Sequence, residues 1–129
     1  MSTIINTLKS FSDLLTLTPM EENEIVKAES KLSLTFAIEY REYMSEFGAA
    51  AVYGHELTGI VNSERLNVVS VTTREWRLNS QVPQNMYVVE NPAIDGIIVW
   101  QDSSGKIFQS SPNSAPKAIA NSIEEYLTT

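Results

Sequence analysis

The side chains in this 129-residue chain that can do acid–base, nucleophilic or metal chemistry are few, and their spacing limits what they can do. The single histidine, His55, is followed by Glu56. An imidazole beside a carboxylate is the raw material of a general-base dyad. Neighbours along a strand point to opposite faces, however, so these two do not form a dyad locally. Cysteine is absent, which removes thiolate nucleophiles and disulfides, and one histidine without cysteine offers no recognisable transition-metal site. Ser103-Ser104-Gly105 is not framed by the strand-to-helix elbow that exposes a serine nucleophile, and it is better explained as hairpin-turn chemistry. Gly54 and Gly59 stand alone and make no phosphate-cradling loop. Asp95 and Asp102 flank one apolar run at opposite ends, so the spacing separates them rather than pairing them as catalytic carboxylates. Nothing assembles a nucleophile, a base and an oxyanion donor. The expectation is a protein without catalysis, metal or cofactor.

Binding chemistry is better represented. Arg74, Trp76 and Arg77 form a small basic-aromatic cluster, and arginine and aromatic residues are the usual anchors of protein interfaces. The competing reading is that Trp76 covers a sheet while the arginines are solvated, and it carries slightly more weight. Nine basic residues against sixteen acidic ones give a net charge of −7. That balance repels phosphate backbones, so direct nucleic-acid binding is not expected, and it suits a basic partner. Acidity also serves simply to keep a protein soluble. Residues 1–9 lack the basic stretch and apolar run of a signal peptide, and no apolar segment approaches a membrane span. A cytoplasmic protein is expected.

A hydrophobic fraction of 43% and a charged fraction of 19% are ordinary for one globular domain, here residues 1–129. The stretch Met86–Ser111 organises it. Runs at 86–90, 97–101 and 106–110 are rich in β-branched and aromatic residues and are separated by Asn/Pro/Asp/Gly/Ser clusters, the pattern of an antiparallel meander. In the middle run Ile97 and Val99 alternate with Ile98 and Trp100, so both faces are apolar and both need cover.

Helices are the obvious cover. Apolar spacing predicts a first helix over roughly 2–15. Thr18, Pro19 and Glu21 read as a capping box for a second, with the acidic Glu21–Glu24 at its positive end and Ile25, Ala28 and Leu32 on its buried side. Thr35 opens a third, whose stripe Phe36, Tyr40, Tyr43, Met44 and Phe47 ends at Gly48. Such a stripe is more often core than the lining of a ligand cavity. Residues 53–61 suggest a strand interrupted by Gly54 and Gly59, at a bulge or an edge. Residues 68–78 fit either a helix capped by Asn67 or a strand, and the helix is preferred. Ile119, Ile123, Tyr126 and Leu127 predict a short closing helix.

This order of elements resembles the SMI1/KNR4 (SUKH) superfamily. The resemblance rests on Phe36-Ala-Ile-Glu-Tyr-Arg-Glu-Tyr-Met-Ser-Glu-Phe-Gly48, the Gly-containing strand, Asp95-Gly-Ile-Ile-Val-Trp100, Asp102-Ser-Ser-Gly-Lys-Ile-Phe108 and the closing Ile119–Leu127. It spans nearly the whole chain and is closest to the bacterial branch with YobK-like proteins. The usual Leu-Pro before the third helix is replaced by Leu34-Thr-Phe-Ala37, and the usual Gly-Gly after it by Gly48-Ala49. The resemblance implies an α+β single domain, an antiparallel meander sheet packed with N-terminal helices and a C-terminal helix, that acts by binding. Bacterial members are immunity proteins that neutralise a cognate toxin, often a nuclease, in the producing cell. Eukaryotic relatives are linked to cell-wall signalling, which makes a regulatory scaffold the alternative. No partner-contact residue carries over by motif. The exposed polar residues expected near the sheet and its turns, Glu56, Trp76, Glu90, Asp95 and Asp102, are therefore the candidate partner-binding set. A ligand pocket lined by Tyr40, Tyr43 and Trp100 ranks last.

Overall fold

The computed structural model describes residues 3–128; Ser2, where the first helix was expected to begin, lies outside them. Five helices and two antiparallel sheets follow in the order α1 (Thr3–Lys9), β1 (Leu15–Thr16), α2 (Glu22–Leu32), α3 (Ile38–Phe47), β2 (Ala50–Val52), β3 (His55–Glu56), α4 (Val68–Leu78), β4 (Tyr87–Glu90), β5 (Ile98–Gln101), β6 (Ile107–Ser110), β7 (Lys117–Ala120) and α5 (Ile123–Thr128). The α+β architecture is the expected one.

The large sheet runs β4-β5-β6-β7 and is antiparallel throughout. Ile98, Val99, Trp100 and Gln101 are all buried, as a strand apolar on both faces requires. Val99 joins Tyr87, Val89 and Ile107 in a core closed by α1, α2, α3 and α5. Ile98 and Trp100 point the other way, joining Val71 of α4, Val82, Met86 and Val88. Trp100 satisfies its buried indole N–H by donating to Ser110 Oγ at 2.9 Å.

Helix α3 begins at Ile38 rather than at Thr35, so Phe36 precedes it, and the aromatic stripe is core. Tyr40 and Tyr43 have no exposed surface, nor has Trp100, so the ligand pocket they were to line does not exist. Phe36, Tyr40 and Tyr87 pack with ring centroids 4.8–5.1 Å apart. The phenols knit backbone across elements: Tyr43 Oη donates to Thr58 O at 2.8 Å and accepts from Ala50 N at 2.9 Å, and Tyr87 Oη accepts from Ala37 N at 2.9 Å.

Other expectations give way to tertiary contacts. The first helix stops at Lys9, where the Ser10 hydroxyl donates to Thr7 O at 2.6 Å and competes for a helix carbonyl. Leu15–Thr16 then pairs with Ala51–Ala50. The capping box does not form. Leu17 N donates to Phe47 O and Ala49 O, and Met20 N to Met44 O, so this segment caps the C-terminus of α3 instead. Helix α2 starts at Glu22 without a side-chain cap. Gly48 is fixed by the same approach, because a Cβ there would meet Thr18 O at 1.9 Å. The single strand expected over 53–61 is instead a hairpin, with Tyr53 and Gly54 (φ 54° and 83°) as its turn. Helix α4 forms as preferred, with Asn67 Oδ1 accepting from Val69 N and Ser70 N. Finally, Lys117–Ala120 extends the meander as a fourth strand, and only Ile123–Thr128 is helical.

Candidate functional site

One group of polar side chains converges where the two sheets meet. Leu57 bridges to Glu90, and Thr58 N donates to Val89 O at 2.9 Å, so the chain leaving β3 runs alongside β4. Strict alternation would put Glu90 on the face of Val88. A bulge between Val88 and Glu90 re-aims it. Its carboxylate accepts from His55 Nδ1 at 2.9 Å, from Glu56 N at 3.1 Å and from Tyr126 Oη of α5 at 2.5 Å. Burial, then the hydrogen bond and charge of Glu90, push the Tyr126 phenol well above its usual range.

Glu90 is therefore not an exposed contact residue, because only 3% of it is accessible. The correction has a physical cause: a carboxylate can be buried at the end of an apolar strand when three donors surround it. The imidazole is oriented by Glu90, not by adjacent Glu56. Carboxylate-oriented imidazoles do serve as general bases, which makes this the arrangement in the fold nearest to a catalytic dyad. Five surface cavities of about 180–310 Å³ are lined by other residues, and the pair is packed between the sheets and α5. It clamps the sheets and α5 together.

Glu56 remains on the surface, forked to Arg65 at 2.9 and 3.0 Å, and those hydrogen bonds hold its carboxyl below the usual range. Trp76 is only half-buried: its indole donates to Met86 O at 3.1 Å and its ring packs against both cores. That position favours the structural reading. Arg74 reaches Glu75 at 3.1 Å, and Arg77 is exposed. Asp95 is exposed, in a left-handed turn (φ 52°) before Gly96. Asp102 is engaged by its own hairpin, accepting from Ser104 N, Ser104 Oγ and Lys106 N. Only Glu56 and Glu90 are brought together; Asp95 and Asp102 lie at opposite ends of β5.

Elsewhere, Glu39 of α3 caps α5, accepting from Ile123 N at 2.8 Å and Glu124 N at 3.0 Å as well as from Gln101 Nε2. Burial raises its carboxyl above the ordinary range, and those hydrogen bonds partly offset the rise. No buried side-chain nitrogen or oxygen among the described residues lacks a partner, and no group of three His, Cys, Asp or Glu is placed to hold a metal. No helix among them is long and apolar enough to cross a membrane. Sequence reasoning missed the His55–Glu90–Tyr126 clamp. The available signal was a lone glutamate ending the otherwise apolar run Tyr87-Val-Val-Glu90.

Comparison with known proteins agrees with the fold. A family profile described as SMI1-KNR4 cell-wall matches residues 1–129. A protein from Pseudomonas syringae pv. tomato of known crystal structure superposes with a TM-score of 0.75 at 12% identity, over 97% of this chain and 92% of that one. At that identity the likeness concerns the fold. No curated protein matches the chain.

Proposed function

Because the chain belongs to the SMI1-KNR4 cell-wall family, we propose that it acts by binding, as an immunity protein that neutralises a cognate basic toxin, a nuclease by preference, in the bacterial cytoplasm. The observation that carries this is electrostatic. The net charge is −7, and Glu21, Glu42, Glu64 and Asp95 stand exposed without an ion-pair partner among the described residues. Exposed carboxylates of this kind stand in for substrate phosphates and occlude a basic cleft, while the charge imbalance steers association.

The test is co-expression. A toxin encoded beside this chain kills its host when expressed alone, and this chain restores growth. Death in both cases, with both proteins accumulating, overturns the proposal. The family description's mention of the cell wall favours a second reading, a regulatory scaffold in cell-wall signalling. In that case deletion of the gene alters sensitivity to wall-targeting antibiotics without any toxin.

A further inference from the structure

An uncovered apolar groove of about 180 Å³ lies over the outer face of the small sheet. Ala50 and Val52 point into the core, so the outward row across β1, β2 and β3 is Leu15, Ala51 and Glu56. Leu17 and Leu66 complete its walls. Leu15 and Leu17 remain 71% and 54% exposed, so nothing among the described residues covers this face. Strand β1 is also the free edge of its sheet, open to main-chain pairing.

Charge decides the occupant. Asp13, two residues before Leu15, and Glu64, on the loop that supplies Leu66, are exposed carboxylates, Glu56 lies at the groove's end, and the two cations beside that end are already engaged, Arg65 by Glu56 and Arg74 by Glu75. A second copy would bring the same carboxylates, and its own −7, against this rim. We propose that the groove receives an extended segment of a basic partner protein, which seats an apolar side chain over Ala51 and sets a lysine or arginine against the acidic rim. This rests on the reading that the protein works by binding another protein.

Three capped heptapeptides test it: one alternating lysine with leucine, its glutamate-for-lysine twin and its alanine-for-leucine twin, each titrated into isotope-labelled protein and followed by amide NMR. The lysine–leucine peptide is expected to shift Leu15, Ala51, Glu56 and Leu66. Both twins should bind roughly tenfold more weakly or worse. Ala51→Trp, which fills the groove, should abolish the shifts, and Leu15→Ser, at an exposed site, should weaken binding if Ala51→Trp does not fold. Shifts confined to other surfaces, equal binding of either twin, or groove signals that move with protein concentration alone (a second copy) overturn the inference. Co-expression keeps the two proposals apart. Ala51→Trp that still rescues growth sinks the groove and spares the immunity function. A groove that binds the peptide in a chain that rescues nothing sinks the function and spares the groove.

Discussion

Replacing Glu90 probes the clamp that joins the sheets. The side chain is 4% exposed and serves three donors, His55 Nδ1, Glu56 N and Tyr126 Oη, within 2.5–3.1 Å. Glu90→Ala removes the only common acceptor. The half-exposed imidazole can turn to water, while the Glu56 amide and the Tyr126 hydroxyl each lose a part-buried bond to Glu90. Each lost bond to a charged acceptor is worth about 1.5–3 kcal/mol when buried, so two part-buried bonds predict a loss of about 2–5 kcal/mol. Glu90→Gln keeps one oxygen and should cost about half as much. Urea unfolding followed by circular dichroism measures both, with the change read as a shift in midpoint at constant m. In a double-mutant cycle with Tyr126→Phe the two losses should not add, because they remove the same bond. A Glu90→Ala loss below about 1 kcal/mol, or additivity within ~0.3 kcal/mol, would refute the clamp.

Other perturbations test other joints. Gly48→Ala forces a Cβ onto Thr18 O and a left-handed conformation (φ 72°), and is expected to cost more than about 3 kcal/mol or to prevent accumulation of folded protein. Tyr43→Phe strands Thr58 O and Ala50 N and should cost about 1–3 kcal/mol by the same urea assay. Asn67→Ala removes the cap of α4 at a cost of about 1 kcal/mol. Burial raises the Glu39 carboxyl above its ordinary 4.5, so the folded state favours the neutral form. Its stabilising contribution is thus fully present below pH 4.5 and lost as pH rises through the folded value. The stability of the wild type relative to Glu39→Gln should fall over that window. A difference that stays flat or rises contradicts the assignment.

Legibility in the sequence followed locality. The stripe Tyr40–Phe47 was readable because four large residues at helical spacing have no other use, although Phe36, buried ahead of α3, made the helix look longer than it is, and α4 was readable because Asn67 supplies a cap that a strand does not need. The meander was readable from its turns. Lys117–Ala120 was not, since Ile119 and Ile123 stand four apart and imitate a helix face while the strand's pairing partner is ten residues away in β6. Thr18-Pro19 carried a convincing capping pattern that the backbone of α3 overrode by taking the N–H groups of Leu17 and Met20. The candidate site was the least legible. Glu90 reaches His55 and Tyr126 only because of a bulge, and neither of those residues lies within thirty positions of it in the chain.

The central claim, recognition without turnover, is tested most directly by titrating a fixed amount of the purified cognate toxin with this protein and following residual toxin activity. Inhibition by occlusion predicts a linear decline to zero at one equivalent, with full activity recovered when salt dissociates the pair. Progressive inactivation by a small fraction of an equivalent would reveal an enzyme and contradict the account.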